Sequence, residues 1–226
     1  MDMIVKKLSK SYGDVKVLED FDAVFPEGKC TAIMGKSGSG KTTLLNCIAG
    51  LTKYDGEIEG AGGVAYVFQE DMLVPHLTVY GNLALTTKGE RRDERIKDIL
   101  RAVEMTEKAT AYPEELSGGE KKRVALCRAF LSEAETVLLD EPTNSLDLGL
   151  KIKTYKVFLE LIGRYGKTAI YVTHDIDEAL SVSDAICVIS CKGIIFKHEF
   201  SDDKAARDVT AGECVAVRRD LMAVLT

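Results

Sequence analysis

The sequence predicts an α/β fold built on a parallel sheet, and three observations carry that prediction. Gly35-Lys36-Ser37-Gly38-Ser39-Gly40-Lys41-Thr42 fits G-x-x-x-x-G-K-[ST], a phosphate-binding loop. The loop stands between an apolar run, Cys30 to Met34, and a helical stretch, Thr43 to Ala49, as that motif requires. Further short apolar runs, Val64 to Phe68, Thr136 to Asp140 and Thr168 to Val172, lead into polar residues: Gln69, Asp140 itself and Thr173-His174-Asp175. Continuous apolar runs of this length read as strands buried on both faces, as in parallel sheets.

The bulk numbers set the class. The chain has 226 residues and is 46% hydrophobic, enough for a sizeable core in one domain or a domain with a lobe. A net charge of −6 argues against nucleic acid or an acidic membrane surface as partner. No apolar run is long enough to span a bilayer, and Met1 to Lys7 lacks the apolar segment of a signal peptide, so a cytosolic protein is expected. Six cysteines form no C-x-x-C pair, and most sit in apolar runs, which predicts reduced, buried thiols.

Taken in order, Met3 to Ser11 and Val15 to Phe25 read as two strands joined at Tyr12-Gly13-Asp14. The Tyr12 ring suits stacking on a purine base, and equally suits packing beside that turn. In the phosphate loop, glycines let the backbone approach an anion and take positive φ. Successive amides and the new helix's N-terminus attract negative charge. Lys41 has the reach for β- and γ-phosphates, and the Thr42 hydroxyl suits the shell of a Mg²⁺ ion. Gly50 is placed to end the helix. Lys53 to Ile58 reads as a turn and short edge strand, and Val64 to Phe68 as a second buried strand.

The loop Glu70 to Leu77 carries Met72, Leu73, Val74 and Pro75, so it is either folded into the core or kept for a partner. Thr78 is placed to cap a helix Val79 to Leu85. Arg91 to Val103 is amphipathic, with Ile96, Ile99, Leu100 and Val103 on one face. The charge run Glu90 to Arg95 is mixed in sign and reads as a solvated face. Ser117 and Glu120 fit a capping box ahead of a helix through Leu131, and Gly118 and Gly119 leave its first amides unobstructed. That makes a second anion-binding helix start in the same chain.

Asp140 ends a strand where parallel sheets bind ligands, and suits Mg²⁺ directly or through water. Glu141, one residue on, is placed to face a water beside the γ-phosphate. Ser145-Leu146-Asp147 opens a helix to Ile162, with Ile152, Tyr155, Leu159 and Ile162 on one face. His174 projects from the same sheet edge as Gln69 and Asp140, whereas His76 and His198 have no such placement. Ala185 to Ser190 and Gly193 to His198 read as strands around a turn at Cys191-Lys192-Gly193. The tail from Ser201 is uninformative beyond a short helix through Leu221, Val224 and Leu225.

In this order the motifs resemble the ABC (ATP-binding cassette) ATPase family over nearly the whole chain. The match rests on the phosphate loop, Gln69, the signature Leu116 to Glu120, Val137 to Glu141, Ser145-Leu146-Asp147 and His174. The resemblance implies a P-loop NTPase with a RecA-like core, an antiparallel β subdomain and an inserted α-helical subdomain. It implies one domain over 1–226, the helical subdomain at about 78–131 and the remainder at 1–77 and 132–226. It implies a head-to-tail dimer, of two copies or of paired ABC subunits, clamping ATP at the interface.

By that resemblance Tyr12 stacks on adenine, and Gly35, Lys36, Ser37, Gly38, Ser39, Gly40, Lys41, Thr42 and Thr43 hold phosphates. Thr42, Gln69 and Asp140 serve Mg²⁺. Glu141 is the general base; Lys41, Gln69 and His174 complete the catalytic set, with His174 on the γ-phosphate. Ser117, Gly118 and Gly119 grip the partner subunit's ATP, and Asp147 crosses the interface. Glu120-Lys121-Lys122-Arg123 departs from the family's glutamine-rich run, with little effect expected on phosphate contact.

Two functions follow from the resemblance. The first is the energising subunit of a transporter on the cytoplasmic face of the membrane. A separate permease and a solute-binding protein would be its partners, and nucleic acid would not. Val67 to Asp71 with Leu73 to Thr78 resembles the importer branch for nitrate, sulfonate and taurine. In that branch the loop Met72 to Leu77 would meet the permease. The second is a soluble ABC ATPase acting on a protein assembly. A small-molecule kinase shares the phosphate loop but has no need of the signature.

Overall fold

The computed structural model describes residues 1–144 and 146–226. Ser145, expected to open a helix, lies outside the described residues. The chain begins with β1 (Met3–Tyr12) and β2 (Val15–Phe25), an antiparallel pair joined at Gly13 and Asp14. After β3 (Cys30–Met34) and α1 (Lys41–Ile48), β4 (Asp55–Glu59) returns to the open edge of β1, giving a three-stranded sheet in the order β2-β1-β4. The helix α1 ends at Gly50, whose φ is +68°.

The second sheet has six strands: β3, β5 (Val64–Val67), β6 (Thr136–Asp140), β7 (Thr168–Val172), β8 (Ala185–Ser190) and β9 (Gly193–Glu199). Their spatial order is β5-β6-β7-β3-β8-β9, parallel throughout except for the β8–β9 hairpin. Between β5 and β6 the chain inserts α2 (Val79–Ala84), α3 (Arg92–Ala102) and α4 (Gly118–Leu131). Thr78 caps α2 by accepting from the Gly81 amide at 3.1 Å. The later crossovers use α5 (Leu148–Tyr165) and α6 (Ile176–Val182), and α7 (Glu213–Leu225) follows β9.

Alternation along the central strands decides what packs on each face. Leu138 and Ile170 point into one core with Leu44 and Leu45 of α1 and with Met3, Val5, Phe21 and Phe25 of the antiparallel sheet. Val137, Leu139, Ala169 and Tyr171 point the other way, into a core with α2 through α5. A third core joins Met34, Ile186 and Val188 to Leu180 of α6 and to Cys214, Val217 and Leu221 of α7. The central strands β3, β6, β7 and β8 are therefore covered on both faces.

Three expectations need correction. In β5 only Val67 is buried; this strand is the sheet's edge, with β6 on one side alone. The helix α5 does not bury Ile152, which is 44% exposed. Its buried stripe is Thr154, Val157, Phe158, Leu161 and Ile162. Both stripes are apolar, so periodicity could not choose between them. The aromatic one won because Phe158 meets Phe130 and Tyr171 edge-on, at ring separations of 6.1 and 5.2 Å. Finally, the sequence predicts no helix between β7 and β8, where the chain forms α6, whereas the helix expected in the tail is present as α7 and is docked through Cys214, Val217 and Leu221. Five of the six cysteines are buried; Cys191, in the β8–β9 turn, is exposed.

Candidate active site

The phosphate loop runs from the end of β3 into α1, and its backbone is shaped by glycine. Gly40 sits at φ +95° at the start of the helix, where a Cβ would lie 2.8 Å from Leu18 Cδ2. Gly38, at φ +79°, has nothing within 4 Å of where a Cβ would be, so the space above it is open. Ser39 Oγ is buried and has no hydrogen-bond partner among the described residues. An unpartnered hydroxyl beside a row of amides at a helix start suits a phosphate. Lys41 folds back over the loop, donating to the carbonyls of Gly35 at 2.8 Å and Lys36 at 3.1 Å. Burial lowers its pKa, while Glu141 and Asp140 pull in the opposite direction.

A cleft of about 490 Å³ opens beside the loop. Tyr12, Val15 and Val17 give it apolar surface; Ser37, Gly38 and Gly40 to Thr43 give it amides and hydroxyls; Glu141 gives it a carboxylate. Tyr12 is 49% exposed, so its ring is open to a flat ligand, with Lys10 Nζ 4.7 Å from its centroid. Gly35, Lys36 and Ser39 do not line the cleft; Lys36 and Ser39 face a second hollow toward β8 and α7, and Lys36 Nζ donates to the Thr226 carbonyl at 3.0 Å.

Asp140 is buried at the end of β6. Tyr66 Oη donates to its Oδ2 at 3.3 Å, and the Thr42 hydroxyl is near the same carboxylate. Burial raises the Asp140 pKa, and these two hydroxyls oppose the rise. Thr42 and Asp140 thus bring two hard oxygen donors together, a set that suits Mg²⁺ with phosphates and water completing the shell. Among the described residues there is no group of three or more His, Cys, Asp or Glu suited to a metal.

Glu141 holds a left-handed φ of +46°, unusual for a side chain of this size. Its amide donates to the Val172 carbonyl at 3.0 Å, tying the turn to the end of β7. Asn144 Nδ2 donates to Glu141 Oε2 at 3.0 Å, and His174 Nδ1 lies 3.3 Å from Oε1. The fold therefore gathers the loop, Asp140, Glu141 and His174 at the C-terminal ends of the parallel strands, with Tyr12 of the antiparallel sheet lining the same cleft as the loop and Glu141.

It leaves the other named residues elsewhere. Gln69 is exposed and does not line the cleft. The signature tip also stands outside it. Ser117 and Glu120 form the expected capping box: the Ser117 amide donates to Glu120 Oε2 at 2.8 Å and Ser117 Oγ accepts from the Glu120 amide at 3.4 Å. Gly119 is buried against α5, where a Cβ would come 3.0 Å from Leu150 Cδ2. Asp147 caps α5 by accepting from the Leu150 amide at 3.0 Å. The signature and Asp147 are thus neighbours on one exposed surface.

Two buried charges near these residues escaped the sequence reading. Lys122, on α4, is 4% exposed; its Nζ donates to the carbonyls of Phe68, at 3.3 Å, and Gln69, and lies 3.1 Å from Asp71 Oδ1. A signal existed, since Lys122 shares a helical stripe with Leu126 and Phe130. Glu178, on α6, is 2% exposed. Its spacing from Asp175 mimics a capping pair, which hid its burial.

Comparison with known proteins agrees with this geometry. The family model described as "ABC transporter" matches residues 18–144. The aliphatic sulfonates import ATP-binding protein SsuB 2 of Rhodococcus jostii (strain RHA1) is 40% identical over 205 residues, 88% of this chain and 82% of that protein. The Fe(3+) ions import ATP-binding protein FbpC of Serratia marcescens is 40% identical over 201 residues, 80% of this chain and 58% of that protein. The dimeric structure of MJ0796, a bacterial ABC transporter cassette, superposes with a TM-score of 0.76 at 29% identity, covering 89% of this chain and 100% of that one. A post-hydrolysis state of the same cassette, bound to ADP and Pi, superposes at 0.75. The ordered motifs, the fold and these likenesses converge: the chain belongs to the ABC transporter family and is an ATPase of that family.

Proposed function

We propose that the chain is the ATP-hydrolysing subunit of an importer, working as a head-to-tail dimer on a separate membrane permease. The carrying observation is the division of the site. The cleft is lined by residues of the phosphate loop and by Glu141, whereas the exposed Ser117 and Gly118 stand outside it at the start of α4. Two copies related head to tail would each complete the other's cleft.

In this reading Tyr12 stacks on the base, and Gly35 to Thr43 cradle the phosphates, with Lys41 leaving its loop carbonyls for the anion. Thr42 and Asp140 would hold Mg²⁺, with Gln69 joining when its loop closes. The ion, when bound, neutralises charge on the β- and γ-phosphates. Glu141 accepts the proton of the attacking water, a role worth roughly 10²–10⁴-fold in rate. His174 contacts the γ-phosphate, and its contact with Glu141 keeps the two side chains together. Ser117, Gly118 and Gly119 bind the partner's ATP, and Asp147 meets the partner subunit. Residues 78–131 act as a helical subdomain within a single domain.

The loop Met72 to Leu77 is the proposed permease contact. Met72 is 58% exposed at φ +46°, and Arg128 on α4 donates to its carbonyl at 2.9 Å, so the loop is linked to the signature helix. No described helix is long and apolar enough to cross a membrane. We place the subunit on the cytoplasmic face, with a solute-binding protein as a further partner. A small anion such as a sulfonate, nitrate or taurine is the proposed solute; SsuB 2 supports an oxyanion and FbpC a different cargo. The importer names of these relatives favour transport over a soluble ATPase acting on a protein assembly. Co-purification with an integral membrane protein tests the assignment. Met72→Glu with Leu73→Glu should abolish that association, and an intact complex would reject this loop as the contact.

A further inference from the structure

Glu178 lies under the catalytic edge and touches neither cleft nor solvent. Its Oε1 accepts from Thr143 Oγ1 at 2.6 Å and from Tyr171 Oη, and its Oε2 accepts from Thr173 Oγ1. Thr143, Tyr171 and Thr173 are each 1% exposed. The donors come from two different segments. Thr143 is two residues beyond Glu141, in the turn after β6, and Thr173 immediately precedes His174 at the end of β7. The proton inventory is consistent: Thr173 Oγ1 accepts from the Asp175 amide at 3.0 Å, which leaves its own proton for Glu178. Among the described residues Glu178 has no cationic partner; hydroxyls alone solvate it.

A buried carboxylate held this way is an expensive way to pack a helix, because desolvation opposes the charge and an apolar side chain would seal α6 with less penalty. What it adds is a fixed link. Among the described residues the start of the turn is also held to β7, by the β6–β7 ladder up to Asp140 and Val172 and by the Glu141 amide on the Val172 carbonyl at 3.0 Å. Removing the Glu178 link would release the far side of the turn at Thr143, and Glu141 would shift relative to His174, now 3.3 Å away.

We propose that Glu178 is a positioning residue, which holds the Glu141 turn and the His174 strand end in register for hydrolysis. The proposal rests on the roles given above to Glu141 and His174. Misplacing reacting groups by ~1 Å can cost about 10²-fold in rate, and that sets the scale expected here.

The test is steady-state ATP hydrolysis by the purified chain carrying Thr143→Val, Thr143→Ser, Thr173→Val or Glu178→Gln, with melting temperatures alongside. Thr143→Val keeps the shape and removes the donor. It should lower kcat roughly ten- to a hundredfold while KM for ATP stays within about twofold, and Thr143→Ser should restore kcat. Glu178→Gln should fall at least as far. If it fails to fold, the Thr143 pair still decides the matter. Equal kcat in Thr143→Val and Thr143→Ser overturns the proposal, as does a loss confined to KM. Glu141→Gln separates the two possible failures. Normal hydrolysis in Glu141→Gln sinks the base assignment and the proposal with it. Lost hydrolysis there, with normal hydrolysis in Thr143→Val, sinks the positioning role alone.

Discussion

The nucleotide cleft and the signature tip are both helix starts rich in amides, yet they are built differently. The cleft is backed by buried chemistry: Asp140 under Tyr66 and Thr42, Lys41 on its own loop carbonyls, Glu141 pinned by Asn144 and Val172. The tip has none of this. Its Ser117 and Gly118 are exposed, its cap is satisfied internally by Glu120, and its Gly119 is shaped to admit Leu150. The cleft can orient a reaction, whereas the tip can only present donors. The difference supports the proposed head-to-tail dimer, in which one copy would supply the candidate catalytic groups and its partner the second wall of the site.

That contrast can be broken at several points. The largest effect should come from Glu141→Gln, which removes the proposed base and leaves the cradle. Hydrolysis should drop roughly 10²–10⁴-fold while ATP binding and an ATP-bound dimer persist, measured by phosphate release and gel filtration. A dimer that fails to accumulate would detach the tip from the nucleotide. Next is Lys122→Met, which leaves the Phe68 and Gln69 carbonyls and Asp71 without their cation. Stability should fall by about 1–3 kcal/mol in a denaturant titration. An unchanged midpoint would mean that α4 does not hold the loop after β5.

Ser117→Ala tests the tip directly. Loss of the cap should lower stability by about 0.5–2 kcal/mol. It should also reduce dimerisation with ATP while leaving the monomer's nucleotide affinity intact. Weakened affinity in the monomer would merge the two regions that the structure separates. The smallest effect belongs to Tyr12→Ala, where lost stacking should weaken ATP binding by about 0.5–1.5 kcal/mol with kcat preserved. Equal affinity in the variant, measured by nucleotide titration, would return Tyr12 to a packing role.

The placement of much of the candidate catalytic edge was legible because it is local. A phosphate loop between an apolar run and a helix leaves little choice of geometry, and Asp140, Glu141 and His174 followed as polar ends of apolar strands. Thr78, Ser117 and Asp147 do act as helix caps, since capping is decided within four residues. What failed was distant. Two apolar stripes compete on α5, and only Phe130 and Tyr171 decide between them. The edge position of β5 depends on which strands pair, and that is not written in Val64 to Val67.

The sequence alone determined the phosphate loop, the order of the strands and of every helix but α6, and the polar residue at the ends of β5, β6 and β7. Those are matters of backbone propensity and short spacing. Tertiary structure decided which charges go inside. Lys122 reaches carbonyls 54 and 53 residues away, and Glu178 gathers hydroxyls from 35, 7 and 5 residues away. An isolated lysine or glutamate reads as a surface residue because burying its charge is costly. Only the assembled fold supplies the acceptors and donors that offset that cost.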